Sequence, residues 1–235
     1  MVTHEKACIL IPTHFGREKI VVKCIDRLVK HFNKNLKKIV LVGDFDNYTD
    51  TNYKSKDWVE YVPFENMLSY KMNKGLEVCR EFSPDAVMIC GSDDWFSGNW
   101  LINGLQMLNN GSLFVGGQYS FAMDITKEPV DVYRIYLKLF GSGDIMSSTV
   151  LNKIDWTMYN KPLMRRLDSN RRKLLSKNGA TRSEIENTII LTIKGDWEMI
   201  TPVSVIRKTC KMTQLSEKAK DKFLKKYFKD YKEFI

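Results

Sequence analysis

Short unbroken apolar runs alternate with helical spacing along the first part of the chain. The runs ACILIP (7–12), KIVLV (38–42) and AVMIC (86–90) end at Pro12, Gly43 and Gly91. Continuous apolar runs of this length suit strands buried on both faces, as in a parallel sheet. Between them, Ile20, Val21, Cys24, Ile25, Leu28, Val29 and Phe32 recur at the helical period over 19–32. Leu68, Met72, Leu76, Cys79 and Phe82 do the same over 68–82. A further short strand is expected at 58–62. The order strand, helix, strand, strand, helix, strand predicts an α/β protein with a mostly parallel central sheet flanked by helices.

The later pattern is less regular. A helix over 99–109 closes at Asn110-Gly111. Strands are expected at 113–117 and 118–124, and a strand pair within 130–140. The stretch 146–175 reads as helical pieces broken at Pro162, and TIILTIK (188–194) as a late buried strand. Residues 216–235 read as one lysine-rich amphipathic helix carrying Phe223, Leu224, Tyr227, Phe228 and Tyr231.

In open α/β sheets ligands bind beyond the carboxyl ends of the strands. Those ends here are 12–17, 43–46 and 91–94, and two of the three carry paired acids. Asp93-Asp94, directly after a buried strand, is the sharpest feature. Adjacent carboxylates there repel one another unless a cation neutralises them. Mg²⁺ or Mn²⁺ shared with substrate phosphates is the natural partner. The structural alternative is that Ser92 or Asp93 caps a helix starting near Trp95.

Composition narrows the setting. At 235 residues, 43% hydrophobic and 28% charged, the chain belongs with folded globular proteins rather than disordered ones. No apolar run approaches the roughly 20 residues that span a bilayer, and residues 1–6 lack the apolar stretch of a signal peptide. The five cysteines form no CxxC pair, which argues against a zinc site or a disulfide framework and for a reducing cytoplasm. The net charge of +9 favours polyanionic partners, although the lysines are scattered.

Three segments, in order, resemble glycosyltransferase family 2 and its relatives with the GT-A fold. CILIPTHFGREK (8–19) is similar to the family's opening strand and IPTYNR loop. YKMNKGLEVCREFSPDA (70–86) resembles the helix with an N-x-G/A-L element. VMICGSDDWF (87–96) resembles the strand ending in the DxD-like motif. The resemblance implies a catalytic domain over 1–205, with a nucleotide-sugar-binding half (1–122) and an acceptor half (123–205), followed by the basic helix over 206–235. It implies that Pro12 and Thr13 line the nucleotide pocket, and that Arg17 approaches the base or diphosphate. Asp44 would lie near the nucleoside, and Asn73 and Lys74 would face the nucleotide-sugar. Asp93 would contact ribose or sugar, and Asp94 would ligate Mn²⁺ or Mg²⁺. The chain departs from the family pattern at His14, at VGDFDN (42–47) and at Ser92, which stands where a full triplet has its first acid.

In the second half, MRRLDSN (164–170) looks like the R-x-L-D element of phage- and virus-type glycosyltransferases, and GSGDIMS (141–147) like their Gly-x-Gly-x-x-x-Ser stretch. The resemblance makes Asp168 the catalytic base for an inverting transfer. The alternative pairs Asp168 with Arg165 or Arg172 on a helix surface. Arg165, Arg166, Arg171 and Arg172 are candidate phosphate ligands. IKGDWE (193–198) is a candidate lid, with Trp197 to stack on a sugar or base.

The expected activity is transfer of a sugar from a nucleotide-sugar donor to an acceptor hydroxyl, either on a hydroxylated base in DNA or on a saccharide, lipid-linked or protein acceptor. A nucleotidyltransferase would need a glycine-rich loop after the first strand, and PTHFGREK has one glycine. A non-catalytic nucleic-acid-binding protein would explain the charge but not two acids at a strand end.

Overall fold

The computed structural model describes residues 4–44, 55–136, 141–163, 166–194 and 203–233. Its first half follows the apolar runs. Strands β1 (Ala7–Pro12), β2 (Leu36–Gly43), β3 (Val59–Pro63) and β4 (Ala86–Ile89) lie in the order β4-β1-β2-β3, all parallel. Helices α1 (Glu18–Phe32) and α2 (Leu68–Glu81) connect them. Successive residues of a strand point to opposite faces. Ala7, Ile9 and Ile11 therefore join the core under α1, while Cys8 and Leu10 join the core under α2. Every one of those five is fully buried, which explains why the strand is apolar throughout.

The second half is mixed rather than parallel. Strand β5 (Asp94–Phe96) leads to helix α3 (Trp100–Asn109). Strands β6 (Phe114–Asp124), β7 (Asp131–Ile135) and β8 (Ile145–Ser147) extend the sheet as β7-β6-β8-β4, each pairing antiparallel. Helices α4 (Ser148–Lys153) and α5 (Leu167–Lys177) follow. Strand β9 (Arg182–Lys194) then runs parallel to β6 and closes antiparallel on β5. The two strands expected within 113–124 are one strand. The expected late strand begins earlier, at Arg182. Asp94 opens a strand, not a helix, so the capping alternative for Ser92 and Asp93 does not hold. Residues 137–140 of the expected strand pair lie outside the described residues.

The C-terminal segment is not one helix. It forms α6 (Val203–Thr209), strand β10 (Met212–Gln214) antiparallel to β7, α7 (Glu217–Tyr227) and a single 3-10 turn at Tyr231–Glu233. Phe223, Leu224 and Phe228 are buried in the same core as α1 and α3, and the Phe223 ring lies 4.3 Å from that of Phe121. The helix docks on its own domain, and among the described residues no helix is long and apolar enough to cross a membrane.

A buried ion cluster anchors this docking. Arg27 on α1, 2% exposed, donates to the Phe96 carbonyl at 2.8 Å and pairs with Asp230 at 3.4 Å. Its guanidinium lies 5.2 Å from the Trp95 ring and 5.1 Å from the Phe228 ring. Asp230 also meets His31 Nε2 at 2.7 Å. Burial alone would raise the Asp230 carboxyl, but Arg27 and His31 hold it below its ordinary value. Burial, followed by the Arg27 charge, pushes the His31 imidazole down.

Both shifts are depressions. Their contribution to stability is complete above about pH 6.5, the unfolded value for histidine, and is lost as pH falls. His31 is lost first, and Asp230 below the usual carboxylate range near pH 4. Melting temperatures between pH 7.5 and 3.5 should fall accordingly. Asp230→Asn should cost about 3 kcal/mol at neutral pH, because it strands a buried guanidinium, and should flatten the acid limb.

Candidate active site

The carboxyl ends of β1, β2 and β4 meet at one rim of the sheet. Thr13, just past β1, is held by its backbone N–H to the Val42 carbonyl at 2.8 Å. Its hydroxyl is buried and unpaired among the described residues. Lys71 reaches this rim from α2, only 5% exposed, and donates to the Thr13 carbonyl at 2.8 Å and to Asp44 at 3.2 Å. Asp44 also accepts from the Phe15 backbone N–H at 3.0 Å. Lys71 was not singled out from sequence, yet it ties the first and second strand ends together. Gly75, one turn further along α2, lies so close that any Cβ would overlap Leu10. That close packing brings the helix and its lysine down onto the sheet.

The acid pair is buried and its two members differ. Asp93 pairs with Lys194 at 2.6 Å and with Arg17 at 3.4 Å. Arg17 also donates to Ser92 Oγ at 2.7 Å. Burial pushes Asp93 up, but Lys194 and Arg17 outweigh it and hold its carboxyl below the ordinary value. Asp94 accepts from the Thr192 hydroxyl at 2.6 Å and interacts with Ser142. Burial and the neighbouring Asp93 charge push its carboxyl up to about 6. Thus Asp93 has its counter-charges, whereas among the described residues Asp94 has hydroxyl hydrogen-bond partners and a pull from Lys194 that the Asp93 charge outweighs, so it remains short of positive charge.

Strand β9 delivers this asymmetry. Its register places Thr192 opposite Asp94, and the Ile193 N–H donates to the Asp93 carbonyl at 2.8 Å, which leaves Lys194 beside Asp93. Ser142 comes from the 141–144 loop, where its hydroxyl also accepts from the Gly91 N–H at 2.9 Å.

A cleft of about 290 Å³ opens at this rim, lined by Pro12, Met72, Gly91, Ser142, Arg166 and Asp168 among others; Gly91 and Ser142, rather than the acids themselves, connect it to the pair. Larger grooves exist on α2, α5 and α7, so volume alone does not choose the site. Here strand ends, acids and the expected base converge.

Asp168 sits in the first turn of α5, its side chain 48% exposed, and accepts from Arg171 at 3.1 Å. Its hydrogen-bond partner among the described residues is Arg171, and the Asp168 charge also acts on Arg172, one of the two partners of the alternative; Arg165, the other, lies outside the described residues. Arg171 itself is 1% exposed and bound to Asp144 at 2.7 Å, so it is a structural cation and not a surface phosphate ligand. The loop histidine His14 bonds the Phe15 carbonyl at 2.8 Å.

Asn73 and Lys74 do not join the cleft. The Asn73 amide accepts from the Met158 and Tyr159 N–H groups, both at 3.0 Å, and donates to the Tyr159 carbonyl at 2.6 Å. It is a bracket for the 158–159 backbone, with its hydrogen-bonding capacity largely spent. Lys74 pairs with Glu77 at 3.0 Å along the helix surface. Both border a separate groove with Phe64, Tyr70 and Arg80. The candidate lid at 195–198, including Trp197, lies outside the described residues.

The metal expectation can be tested on this donor set. Among the described residues no three or more His, Cys, Asp or Glu side chains are grouped to hold an ion. Asp93 is committed to Lys194 and Arg17. Asp94 fits a divalent cation as a single protein ligand, since Mg²⁺-type ions are held by one or two carboxylates together with substrate phosphates.

Asn73→Ala should destabilise the fold by about 2 kcal/mol through stranded backbone groups, measured by urea denaturation, while leaving nucleotide affinity unchanged. An equal loss of nucleotide binding would return Asn73 to the site.

No protein-family profile matches the chain, and no curated protein matches it. Solved structures do. Residues 1–349 of TarS from S. aureus, in complex with UDP-GlcNAc, superpose with a TM-score of 0.59 at 15% identity, covering 80% of this chain and 58% of that one. Another S. aureus TarS structure gives 0.54 at 14% identity, covering 81% of this chain and 35% of that one. The chain therefore spans little more than half, or about a third, of the structures it matches. At these identities the likeness establishes architecture alone, and the architecture is a GT-A-like fold.

Proposed function

We propose that this chain is a glycosyltransferase that moves a sugar from a nucleoside-diphosphate donor to an acceptor hydroxyl. One observation carries the reading: a buried acid pair with one member neutralised and the other short of cations, at the rim of a GT-A-like sheet, beside a cleft that contains Asp168. UDP-GlcNAc, the ligand of the TarS complex, is the first donor to test.

In this reading Thr13, Asp44 and Lys71 hold the nucleoside end. Thr13 has a buried hydroxyl to offer, and Lys71 fixes Asp44 as an acceptor for base or ribose. Pro12 forms the wall between this end and the cleft. Arg17 and Lys194 keep Asp93 ionised, ready to accept from a ribose or sugar hydroxyl. Asp94 is the protein ligand for Mn²⁺ or Mg²⁺, which when bound supplies counter-charge to the departing diphosphate. Asp168, half-exposed in the cleft, removes the proton from the acceptor oxygen as that oxygen attacks the anomeric carbon. The outcome is inversion.

For the acceptor the reading is a polyanion, with a hydroxylated base in DNA, as in a phage or viral modification enzyme, the case to test. It is supported by a groove of about 410 Å³ on the adjoining face of α5, lined by Lys161, Lys173 and Lys177 with Asn160 and Asn170 and no acidic side chain. A base within a duplex would have to be flipped out of the stack to reach Asp168.

UDP-GlcNAc with Mn²⁺ should raise the melting temperature, by an amount equivalent to about 2.7 kcal/mol at a hundredfold excess over Kd. Asp94→Asn should lose the Mn²⁺-dependent part. Asp168→Asn should keep the shift but slow UDP release by about 10²- to 10⁴-fold. The reading is abandoned if no nucleotide-sugar stabilises the protein.

For the acceptor, Lys173→Glu combined with Lys177→Glu should weaken DNA binding and lower its salt slope by about two. Unchanged DNA binding, with transfer to free saccharides intact, would favour the saccharide alternative.

A further inference from the structure

The 141–144 loop and α5 form a buried brace that the reaction outlined above does not itself use. The loop is stitched to the end of β4: Gly143 N–H donates to the Ile89 carbonyl at 2.7 Å, and Ile89 N–H to the Asp144 carbonyl at 2.9 Å. This aims Asp144, fully buried, between two arginines. Arg182 from β9 donates through Nε at 2.8 Å, and Arg171 from α5 through Nη2 at 2.7 Å. Arg182 also holds the Gly117 carbonyl at 2.9 Å. Burial works against the Arg171 cation, yet the Asp144 charge more than offsets it and raises the guanidinium above its ordinary value.

Arg171 Nη2 has three acceptors: the Gly141 carbonyl at 2.7 Å, Asp144 at 2.7 Å and Asp168 at 3.1 Å. An Nη2 group carries only two hydrogens, so the third and longest contact is shared. Asp144 takes the strong bond. Asp168 receives enough of the guanidinium through Oδ1 to be oriented, which leaves Oδ2 to take a proton. Gly141 completes the seat. A Cβ there would overlap the Asp168 carboxylate, so the side chain lies against bare backbone.

We infer that Arg171 and Asp144 are positioning residues, which hold the Asp168 carboxylate against Gly141 at the cleft wall. The same loop carries Ser142, in contact with Asp94, so one short segment sets the base and the metal ligand relative to each other. This inference rests on the glycosyltransferase reading and goes beyond it, because it assigns the GSGD segment a task and predicts which substitutions act through Asp168.

The test uses release of UDP from UDP-GlcNAc and Mn²⁺, with water as acceptor. Gly141→Ala is the informative variant. It leaves both Asp144 ion pairs in place, and the nearest atoms its Cβ meets belong to the movable end of Asp168, so the fold should survive, as circular dichroism and melting would confirm. It should lower kcat by about 10²-fold, the cost of a small misplacement of a reacting group, with KM for UDP-GlcNAc within twofold of wild type. On an Asp168→Asn background it should add no further loss. Arg171→Lys, which keeps a cation beside Asp144 but not the fork, should lower kcat in the same way. The inference is overturned if Gly141→Ala turns over like wild type while Asp168→Asn does not, if its effect multiplies that of Asp168→Asn, or if the loss appears in KM. A wild-type chain that releases no UDP would instead sink the glycosyltransferase reading itself.

Discussion

Two adjacent carboxylates buried at the rim of a sheet cannot both remain charged without partners, and the chain resolves this unevenly. Asp93 receives an ammonium and a guanidinium, while Asp94 receives hydroxyls and stays short of positive charge. Each partner comes from a different part of the chain: Arg17 from the loop before α1, Ser142 from the segment before β8, and Thr192 and Lys194 from the end of β9. The pair can be buried only once all of these elements have assembled. The mixed second half of the sheet exists, in this sense, to bring β9 back across β5.

The rest of the site follows the same logic of buried charge. Lys71 is matched to Asp44 and a carbonyl, and Arg171 and Arg182 to Asp144. Removing one member of such a pair costs more than the pair itself contributes, because an uncompensated charge stays behind. This explains how a chain of net charge +9 keeps several cations inside. It also separates structural from chemical groups. Asn73 and Asp144 are largely occupied by their neighbours, whereas among the described residues Asp94, Asp168 and the Thr13 hydroxyl retain capacity for a ligand.

The parallel half was legible because ACILIP, KIVLV and AVMIC are apolar on both faces, which only a doubly covered strand requires. The acid pair was legible for the same reason, being the first polar step after such a strand. Strands β5 and β8 were missed because three residues carry no period. The start of β9 (RSEIEN) is polar and has no unbroken apolar run, so no element was expected there. Asn73 was expected to face the nucleotide-sugar on motif similarity: the N-x-G-L spacing is real, and its amide bonds the 158–159 backbone. Lys194 and Thr192 lie about a hundred residues from their acids, 101 and 98, beyond any local rule. A signal was nonetheless present, since a lysine and a threonine interrupt the otherwise apolar end of β9, and Lys71 stands on the buried face of α2.

The proposal turns on Asp94 being, among the described residues, the member of the acid pair left open to hold a divalent cation together with the donor's phosphates. Its most direct test is the anomalous difference density of crystals grown with Mn²⁺ and UDP. The account predicts a manganese peak within bonding distance of Asp94 and of phosphate oxygens, with Asp93 still paired to Lys194. A peak on Asp93 with Lys194 displaced, or UDP bound away from this rim, would contradict it.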